Sequence, residues 1–433
     1  MDFTVNDKER KRQMDISRRG FMGAGAALFA AAGCRSIGGD ASKEKIAGFD
    51  QTETGELAAA PYVPYSDRKV RVGIAGEGFA SFGSGFAYQE HPNVEVVSCS
   101  ELKPDRLKLL QERVKAPKSY PSCEEMIRHA AEDKLDAVYV ATDARSHIQL
   151  AIMALEHGLH VVSAVPAFFG KDQLEYVPKL VDAVKRSGRL YMMNETSAFR
   201  PECYAMRKMY EDGLFGAISY CEGEYFHWFG QPDKDKGKAH DFFSYKGWRW
   251  GLPPQYYPTH SNSYYTCVTH KRFTEVTCTG IASLCFPYTR EGQNEFGNPF
   301  GSEYAMFKCE DGSCARMLVA FDHPSYYAEM GRIWGQKGCY VPEKEGYRGL
   351  FKDQVTANPS RYLKPRLAPC IKHFGGHGAS HAYLTDDFIR GILVKDHKVC
   401  VDVVTALNTT IAGVYAHLSA MKGGEALKVP AVV

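Results

Sequence analysis

The sequence predicts an α/β protein with two folded domains, the first built on a parallel sheet and the second on an open antiparallel sheet. The chain has 433 residues, more than one hydrophobic core usually organises. Short apolar strands alternate with helical segments up to about residue 190, as in a parallel sheet with helical crossovers. Beyond that point the segments alternate apolar and polar residues, which is typical of strands with one exposed face.

The composition is that of an ordinary globular protein and excludes several classes of function. Hydrophobic residues make up 44% of the chain and charged residues 24%. The net charge of +2 gives no electrostatic footprint for a nucleic acid, so no nucleic-acid partner is predicted. The 13 cysteines are scattered without a Cys-x-x-Cys pair, which fits neither a disulfide framework nor a zinc site, and no metal is predicted.

The N-terminus has the pattern of an export signal. Ile16–Phe21 reads ISRRGF, and an apolar run follows at 23–33 that is too short to span a bilayer. Paired arginines before such a run are what twin-arginine export recognises. We therefore expect residues 1–34 to be a signal peptide and the mature chain to be periplasmic.

The end of this signal resembles a lipoprotein cleavage box, which would leave Cys34 lipidated at the new N-terminus. The alternative is an ordinary cleavage site with an incidental cysteine. Residues 35–67 are polar and read as a linker. No later segment has 18 continuous apolar residues, so membrane contact is expected only through the signal or a lipid anchor.

The first folded segment combines a strand with a glycine-rich turn. Residues 69–75 (KVRVGIA) are β-rich, and the turn follows at once. Two glycines let the backbone turn tightly and approach a pyrophosphate, whose charge then lies at a helix N-terminus. The candidate cofactor-binding residues of this turn are Gly76, Gly78, Phe79, Ala80 and Ser81, with Ser81 at the third position of the fingerprint.

An acidic residue follows the second predicted strand, Val94–Ser100. Glu101 stands 23 residues after Gly78. A carboxylate there accepts hydrogen bonds from both ribose hydroxyls and repels a 2′-phosphate, which favours NAD over NADP. The alternative is a solvated loop acid. Arg106 is a further candidate contact to the cofactor.

The rest of the first domain repeats the strand–helix pattern. Residues 136–142 form a near-continuous apolar strand, 146–157 have helical spacing, and 160–163 form another strand. This is the pattern of a Rossmann domain, which we place at 68–190, and its ligands bind at the carboxyl ends of the strands. The candidate residues at those ends are Thr142, Asp143 and Pro166.

The second domain, residues 191–433, is predicted from alternating strands. Residues 218–226 and 275–281 alternate, and 303–309 and 313–321 flank an Asp-Gly turn as a hairpin. Residues 385–421 are largely helical by periodicity. Trp228 and Trp248 are equally suited to a sugar-binding wall and to a core.

One stretch resembles a known enzyme family. Residues 141–166 (ATDARSHIQLAIMALEHGLHVVSAVP) are similar to the core of the Gfo/Idh/MocA oxidoreductases, and the likeness extends over about 68–430. The resemblance implies NAD as cofactor and a homo-oligomer. Typical members end this stretch in Glu-Lys-Pro and use the lysine in proton transfer. Here Ala164 and Val165 replace the acid and the lysine, and only Pro166 remains.

The chain is most similar to a subgroup without that lysine, the NAD-dependent glycosidases of glycoside hydrolase family 109. The matching stretches are VPA (165–167), Glu195 after YMMN, GLFGAISYCEGEYFH (213–227), Trp248-Arg249, YPTH (257–260) and GGHG (375–378). The resemblance implies that Tyr257 and His260 are catalytic, with Tyr225 and Tyr327 in the same pocket. It also implies that His147, Glu195, Trp248 and Arg249 contact the cofactor. The SNSYY that follows YPTH departs from the subgroup's glycine-rich continuation.

Elementary chemistry supports a role for His260. Taking a hydride from an alcohol requires a group that accepts the hydroxyl proton, with a pKa near the working pH. Histidine meets this requirement once the lysine is absent, and Tyr257 lies three residues away. The alternative is a histidine hydrogen-bonded in a structural loop. His377 is a further candidate for the pocket, whereas His381 is expected to serve structure or the cofactor site.

These features predict an exported NAD-dependent enzyme acting on a carbohydrate. Because NADH outside the cytoplasm has no expected pool to re-oxidise it, the hydride should return to the substrate within each cycle. A glycosidase with a transient ketone satisfies this constraint. A ping-pong sugar oxidoreductase or a glycoside lyase is an alternative, and a non-catalytic sugar-binding lipoprotein on the same scaffold is a third.

Overall fold

The computed structural model describes residues 59–78, 81–228, 248–283, 294–323, 327–342, 346–349 and 359–432. The predicted signal peptide, Cys34 and most of the predicted linker lie outside these residues, as do Phe79 and Ala80. Within the described part of the chain, no helix is long and apolar enough to cross a membrane.

The first sheet has six parallel strands in the order β3-β2-β1-β4-β5-β6. These are β1 (Val70–Ala75), β2 (Val94–Ser100), β3 (Lys118–Tyr120), β4 (Ala137–Val140), β5 (His160–Ser163) and β6 (Tyr191–Met193). The helices around it are α1 (Phe82–Gly85), α2 (Pro104–Val114), α3 (Cys123–Arg128), α4 (Ala130–Asp133), α5 (His147–Glu156) and α6 (Tyr176–Ser187).

The strand order reverses between β1 and β4. The chain builds outward from β1 to β3 and then returns to the other side of β1. β4 is fully buried, as a central parallel strand covered on both faces should be. Loops diverge at such a reversal and leave a crevice at the carboxyl ends of the strands. The candidate residues that follow β1 and β4 therefore lie at this crevice.

The second sheet has eight strands in the order β13-β12-β11-β7-β10-β9-β8-β14. They are β7 (Ile218–His227), β8 (Phe273–Ala282), β9 (Phe300–Cys309), β10 (Cys314–Ala320), β11 (Tyr327–Gly335), β12 (Gly338–Val341), β13 (Gly346–Gly349) and β14 (Leu427–Lys428). The predicted hairpin is β9–β10. The sheet is mixed rather than purely antiparallel, because β10 runs parallel to β7 while the other pairs are antiparallel.

A helical crossover explains the parallel pair. The chain leaves β7 through α8 (Thr259–Thr269), which packs on β7, and re-enters the sheet at β8. The meander β8–β9–β10 then brings β10 back beside β7 in the same direction. Because α8 rather than a tight turn lies between β7 and β8, β10 pairs with β7 in the parallel direction. The overall prediction of an α/β protein with a Rossmann sheet and a second sheet is confirmed.

Three further helices complete the fold: α7 (Pro201–Glu211), α9 (Gly376–Leu393) and α10 (Val403–Met421). The predicted helix over 385–421 is interrupted between α9 and α10. His377, Gly378 and Ala379 have left-handed backbone angles, so regular helical geometry in α9 begins after them. α10 packs on α8 and β8 and also touches β6, which joins the two sheets into one core.

The predicted linker is too long at its C-terminal end. Tyr65 donates a hydrogen bond to Asp386 Oδ1 at 3.2 Å, and the Arg390 guanidinium lies 4.1 Å from the centre of its ring. Ala60 accepts a bond from the N–H of Arg366. Residues 59–67 (AAPYVPYSD) therefore contact the fold, and they are less polar than the rest of the predicted linker.

Candidate active site

The glycine-rich turn after β1 has the geometry that its residue types require. Gly76 has φ +88°, and a Cβ there would lie 2.5 Å from the Ala141 carbonyl oxygen, so only glycine fits. Gly78 has φ +58°, and a Cβ there would meet nothing within 4 Å. The turn is thus pressed against β4 on one side and open above Gly78 on the other, as a phosphate-binding turn must be.

The third glycine of the fingerprint is Gly83, which the sequence prediction missed. A Cβ on Gly83 would collide with the Gly76 carbonyl oxygen, so α1 packs directly against the turn. Ser81, the predicted third position, instead has a left-handed φ of 54° and accepts a hydrogen bond from Arg113 at 2.8 Å. Gly83 stands seven residues after Gly76, two more than the fingerprint has between its first and third glycines. It therefore takes the close-packing role that was predicted for Ser81.

Glu101 lies where the ribose-binding carboxylate was predicted. Its Oε2 accepts hydrogen bonds from the N–H groups of Glu77 at 3.0 Å and Gly78 at 3.4 Å. The side chain is half-buried. The structure therefore holds this carboxylate at the open side of the turn, in agreement with a ribose contact. Arg106 lies in the first turn of α2.

The carboxyl ends of the neighbouring strands are held by side-chain to backbone bonds. The two ring nitrogens of His147 lie 2.8 Å from the Pro166 carbonyl and 3.0 Å from the Thr142 carbonyl. His147 is thus held between these two carbonyls at the strand ends. The hydroxyl of Thr142 bonds Ser146, and Asp143 precedes that turn.

A buried amide follows the end of β6. Asn194 is 1% exposed, and its amide lies within reach of the buried hydroxyls of Tyr88 and Tyr139, so these three polar groups belong to the core beneath the strand ends. The features that fit a dinucleotide are the open turn at Gly78 and the Glu101 carboxylate beside it.

Glu195 belongs with His260 rather than with the cofactor turn. Its Oε1 lies 2.8 Å from His260 Nδ1, and both side chains are buried. The N–H of Ser197 also donates to this oxygen at 2.8 Å, which fixes the carboxylate. A carboxylate that holds one nitrogen of a histidine orients the other nitrogen for proton transfer.

A second buried carboxylate, that of Glu329, lies behind the Glu195–His260 pair and was not predicted from the sequence. Glu329 on β11 is bound by Arg200 through two bonds of 2.5 and 2.6 Å, and by the Ser197 hydroxyl at 2.7 Å. The same hydroxyl lies 3.3 Å from His260 Nδ1. Two buried carboxylates, a guanidinium and an imidazole thus form one charge network.

This network raises the pKa of His260. Burial alone would lower its pKa, but the Glu195 carboxylate, aided by Glu329, outweighs burial and raises the pKa above the ordinary value. Burial would likewise raise the pKa of Glu329, yet His260 and Arg200 hold it at about 2. Both effects favour an imidazolium at His260, so the network stabilises a proton once the histidine has taken it.

Aromatic residues surround the imidazole. The ring of Tyr225 lies 4.6 Å from that of His260, and Tyr257 lies 5.3 Å away. The Arg249 guanidinium is 4.1 Å from the centre of the Trp248 ring and 5.9 Å from that of Tyr257. The structure thus places Trp248 and Arg249 beside Tyr257. Tyr327 begins β11, and its side chain lies outside the described residues.

His377 completes the cluster from the glycine-rich loop before α9. Its ring is stacked 5.9 Å from that of His260, and its Nδ1 lies 3.0 Å from His381 Nε2. Burial, followed by the charge of His260, lowers the pKa of His377 to about 4. The pKa values of the two neighbouring histidines are therefore shifted in opposite directions. Environments that push two pKa values apart are typical of acid and base partners.

An open cavity of about 530 Å³ adjoins His377. It is lined by Ser81, Phe82, Ser84, Gly85, Arg200, Gly375, Gly376, His377, Gly378 and His381. The cavity lies between the helix after the cofactor turn and the loop that carries His377. Its size is within the range of small-ligand pockets.

The position of the usual lysine is closed. Ala164 and Val165 are both 8% exposed and contribute no ionisable group at the end of β5. Among the described residues, no group of three or more His, Cys, Asp or Glu side chains could hold a metal ion.

Comparison with protein families places the first domain. Residues 70–195 match the oxidoreductase family with an NAD-binding Rossmann fold, Gfo/Idh/MocA. This match confirms the resemblance inferred from the sequence, and it confirms NAD as the cofactor of this domain.

Curated relatives are named as glycosidases. A glycosyl hydrolase family 109 protein of Porphyromonas gingivalis is 30% identical over 164 residues, which is 36% of this chain and 34% of the relative. An alpha-N-acetylgalactosaminidase of Bacteroides fragilis is 30% identical over 201 residues, or 44% of this chain and 46% of the relative. The match spans about a third to a half of these relatives' length.

Solved structures share the whole fold. An inositol dehydrogenase homologue of Azotobacter vinelandii complexed with NAD⁺ has a TM-score of 0.66 at 18% identity, covering 85% of this chain and all of that one. Scyllo-inositol dehydrogenase of Lactobacillus casei, with bound NAD(H) and scyllo-inositol, has a TM-score of 0.63 at 16% identity, covering 84% and 99%. These likenesses show the fold.

Proposed function

We propose that this chain, whose Rossmann domain is of the Gfo/Idh/MocA oxidoreductase family, is an exported, NAD-dependent glycosidase that oxidises and re-reduces its sugar substrate within one turnover. The observation that carries the proposal is the Glu195–His260 pair, 2.8 Å apart, with the neutral His377 beside it. The naming of curated relatives as family 109 hydrolases, including an alpha-N-acetylgalactosaminidase, supports the substrate class.

The cofactor and the protein have separate tasks in this scheme. When bound, NAD would take a hydride from a sugar carbon and return it later in the same turnover. Glu101 and the turn at Gly76–Gly78 would hold its ribose and phosphates. Because the hydride returns, no external oxidant is needed, and this suits an enzyme outside the cytoplasm.

His260 is the acceptor for the hydroxyl proton of the sugar. Glu195 holds Nδ1, so Nε2 is the nitrogen available to substrate. The imidazolium that forms is stabilised by Glu195 and Glu329, which already raise the pKa of His260. Charge that develops during oxidation is therefore matched by fixed groups in a buried site.

His377 is the base for the second proton, which leaves the carbon next to the ketone. A ketone on the sugar acidifies the neighbouring C–H, and a neutral base is then required to remove that proton. With a pKa lowered to about 4, His377 is neutral at working pH. Since it also lines the 530 Å³ cavity, it can pass the proton to the departing glycosidic oxygen as the glycosidic C–O bond breaks. Water then adds to the unsaturated ketone, and solvent returns a proton to the neighbouring carbon. The returned hydride and the proton held on His260 restore the alcohol.

The test starts with the protein as purified, without added cofactor. Bound nucleotide is released by denaturation and identified by mass and absorbance, and aryl glycosides are then screened for cleavage. The proposal predicts near-stoichiometric NAD(H) and cleavage that added NAD does not accelerate.

Other outcomes separate the alternatives. An unsaturated sugar product would indicate a lyase. Net reduction of a second sugar without cleavage would indicate a ping-pong oxidoreductase. A protein that is empty and fails to bind added NAD would contradict the proposal and favour a sugar-binding function.

A further inference from the structure

The C-terminal helix α10 carries a row of three residues that contacts the catalytic segment on both sides of His260. Thr409, Gly413 and His417 are spaced four residues apart and therefore share one face of the helix. All three are buried.

Gly413 brings the helix backbone against the residues that precede His260. A Cβ at this position would collide with the Gln255 carbonyl oxygen and the Pro258 ring. Glycine inside a helix costs about 0.5–1 kcal/mol relative to alanine. The close approach to Gln255 and Pro258 gives a reason for glycine at this position.

His417 fixes the same residues through a buried carboxylate. Its Nδ1 lies 2.6 Å from Glu303 Oε1, and Glu303 Oε2 accepts the N–H of Gln255 at 2.6 Å. The Tyr256 ring lies 4.7 Å from the His417 ring. Glu303 is fully buried, so loss of its partner leaves an uncompensated charge in the core.

Thr409 holds the residues that follow His260. Its carbonyl accepts a hydrogen bond from Asn262 Nδ2 at 3.0 Å, and its hydroxyl lies 2.7 Å from that of Thr266. The row thus brackets His260, with Gly413 and His417 before it and Thr409 after it.

We propose that Thr409, Gly413 and His417, together with Glu303, are positioning residues that hold His260 in contact with Glu195. Glu195 follows β6 of the first sheet, whereas His260 lies in the first turn of a helix that packs on the second, so their contact depends on how these two elements are held against each other. Catalytic groups lose activity when they are displaced by about 1 Å. Only the kinetic readout of this proposal rests on the proposed glycosidase function.

The test compares two glycine-to-alanine substitutions. Gly413→Ala forces α10 away from Gln255 and Pro258. Gly391→Ala is the matched control, since Gly391 lies inside α9 and its added Cβ would meet Val399 at 2.6 Å and Leu190 at 2.7 Å, away from the site. Both variants should unfold at lower temperature.

Imidazole NMR of the full chain separates positioning from stability. His260→Gln assigns the His260 signals. The groups that face this imidazole are Glu195, Glu329, Arg200, His377, His227, Tyr225 and Tyr257. Gly413→Ala should shift the His260 signals and move its titration to lower pH as the Glu195 contact loosens. Gly391→Ala should leave both unchanged.

The kinetic readout should follow the NMR readout. A displaced His260 is expected to lower kcat about tenfold or more in Gly413→Ala with little change in KM. If His260 shifts but no variant or wild-type protein cleaves a glycoside, the proposed function fails and the positioning role stands.

A second pair of variants decides the question if Gly413→Ala does not fold. His417→Leu removes the donor to Glu303, whereas His417→Gln retains one. We expect His417→Leu to shift the His260 signals and His417→Gln to restore most of their wild-type positions. If Gly413→Ala or His417→Leu lowers the unfolding temperature and leaves the His260 signals and titration in place, the proposal is wrong.

Discussion

The cofactor edge and the histidine cluster of this site are built in opposite ways. The cofactor edge uses backbone N–H groups, open space above Gly78 and one carboxylate, all contributed between β1 and the end of β2. The histidine cluster uses ionisable side chains from four distant segments, at Glu195, His260, Glu329 and His377. The first depends on local backbone geometry and the second on long-range charge balance.

This difference determines what each region tolerates. The cofactor edge fails when its space is filled, whatever the charge. The histidine cluster has two buried carboxylates paired with Arg200 and His260, so removing one member leaves a buried carboxylate without its partner. Substitutions in the two regions should therefore separate cofactor retention from proton transfer.

The largest effect is expected at Gly78. Gly78→Arg fills the open space where the phosphates would lie, and both bound NAD and activity should be lost. Gly312→Arg is a matched control, because Gly312 also has a positive φ of 82° and no atom within 4 Å of an added Cβ, but lies in the β9–β10 turn. Nucleotide content and turnover are measured for both. If the Gly78→Arg protein carries as much bound NAD as the wild type, the space above Gly78 is not where the phosphates bind.

His260→Gln should have the next largest effect, and of the opposite kind. Turnover should fall by about 10²–10⁴-fold, because the proton acceptor is gone, while NAD remains bound. His397→Gln is the control, since His397 also pairs with a carboxylate, Asp387, at 2.7 Å outside the site. Loss of nucleotide from His260→Gln would show that the two regions are not separable.

Glu195→Gln tests the charge of His260. The carboxylate raises the pKa of His260, so the acidic limb of kcat/KM in the wild type should lie above the ordinary histidine value of about 6.5. Without the carboxylate that pKa falls, the neutral base persists at lower pH, and the limb should move to lower pH. We expect about a tenfold fall in kcat. A limb that stays in place or moves upward would contradict this assignment.

The smallest effect is expected at Glu101. Glu101→Ser removes the carboxylate at the ribose position and the repulsion of a 2′-phosphate. NAD affinity should fall about tenfold and discrimination against NADP should weaken, as titration calorimetry with both nucleotides would measure. Unchanged affinity for both would place Glu101 outside the cofactor site.

The same contrast explains what the sequence could predict. β2, Glu101 and the paired glycines follow from patterns within about 30 residues, and the structure has them in place. Ser81 was assigned the packing role of Gly83, because the fingerprint assumes a fixed turn length. Glu329 could not be predicted, since a glutamate in a strand carries no sign that its partners are Arg200 and His260.

Glu195 and His147 show what a resemblance leaves out. Both are predicted to contact the cofactor, and this stays a prediction. The structure adds partners that the motifs do not name, namely His260 for Glu195 and the carbonyls of Pro166 and Thr142 for His147. A linear motif does not specify which atoms meet in space.

The most direct test of the account is the fate of one carbon-bound hydrogen during cleavage. The enzyme, with only the nucleotide it carries, is incubated in D₂O with a glycoside it cleaves, and the product is examined by proton NMR and mass spectrometry. A transient ketone acidifies its neighbouring C–H, so the account predicts one solvent deuterium at that carbon and retained hydrogen at the carbon that was oxidised. A product without carbon-bound deuterium, formed at the same rate, would contradict it.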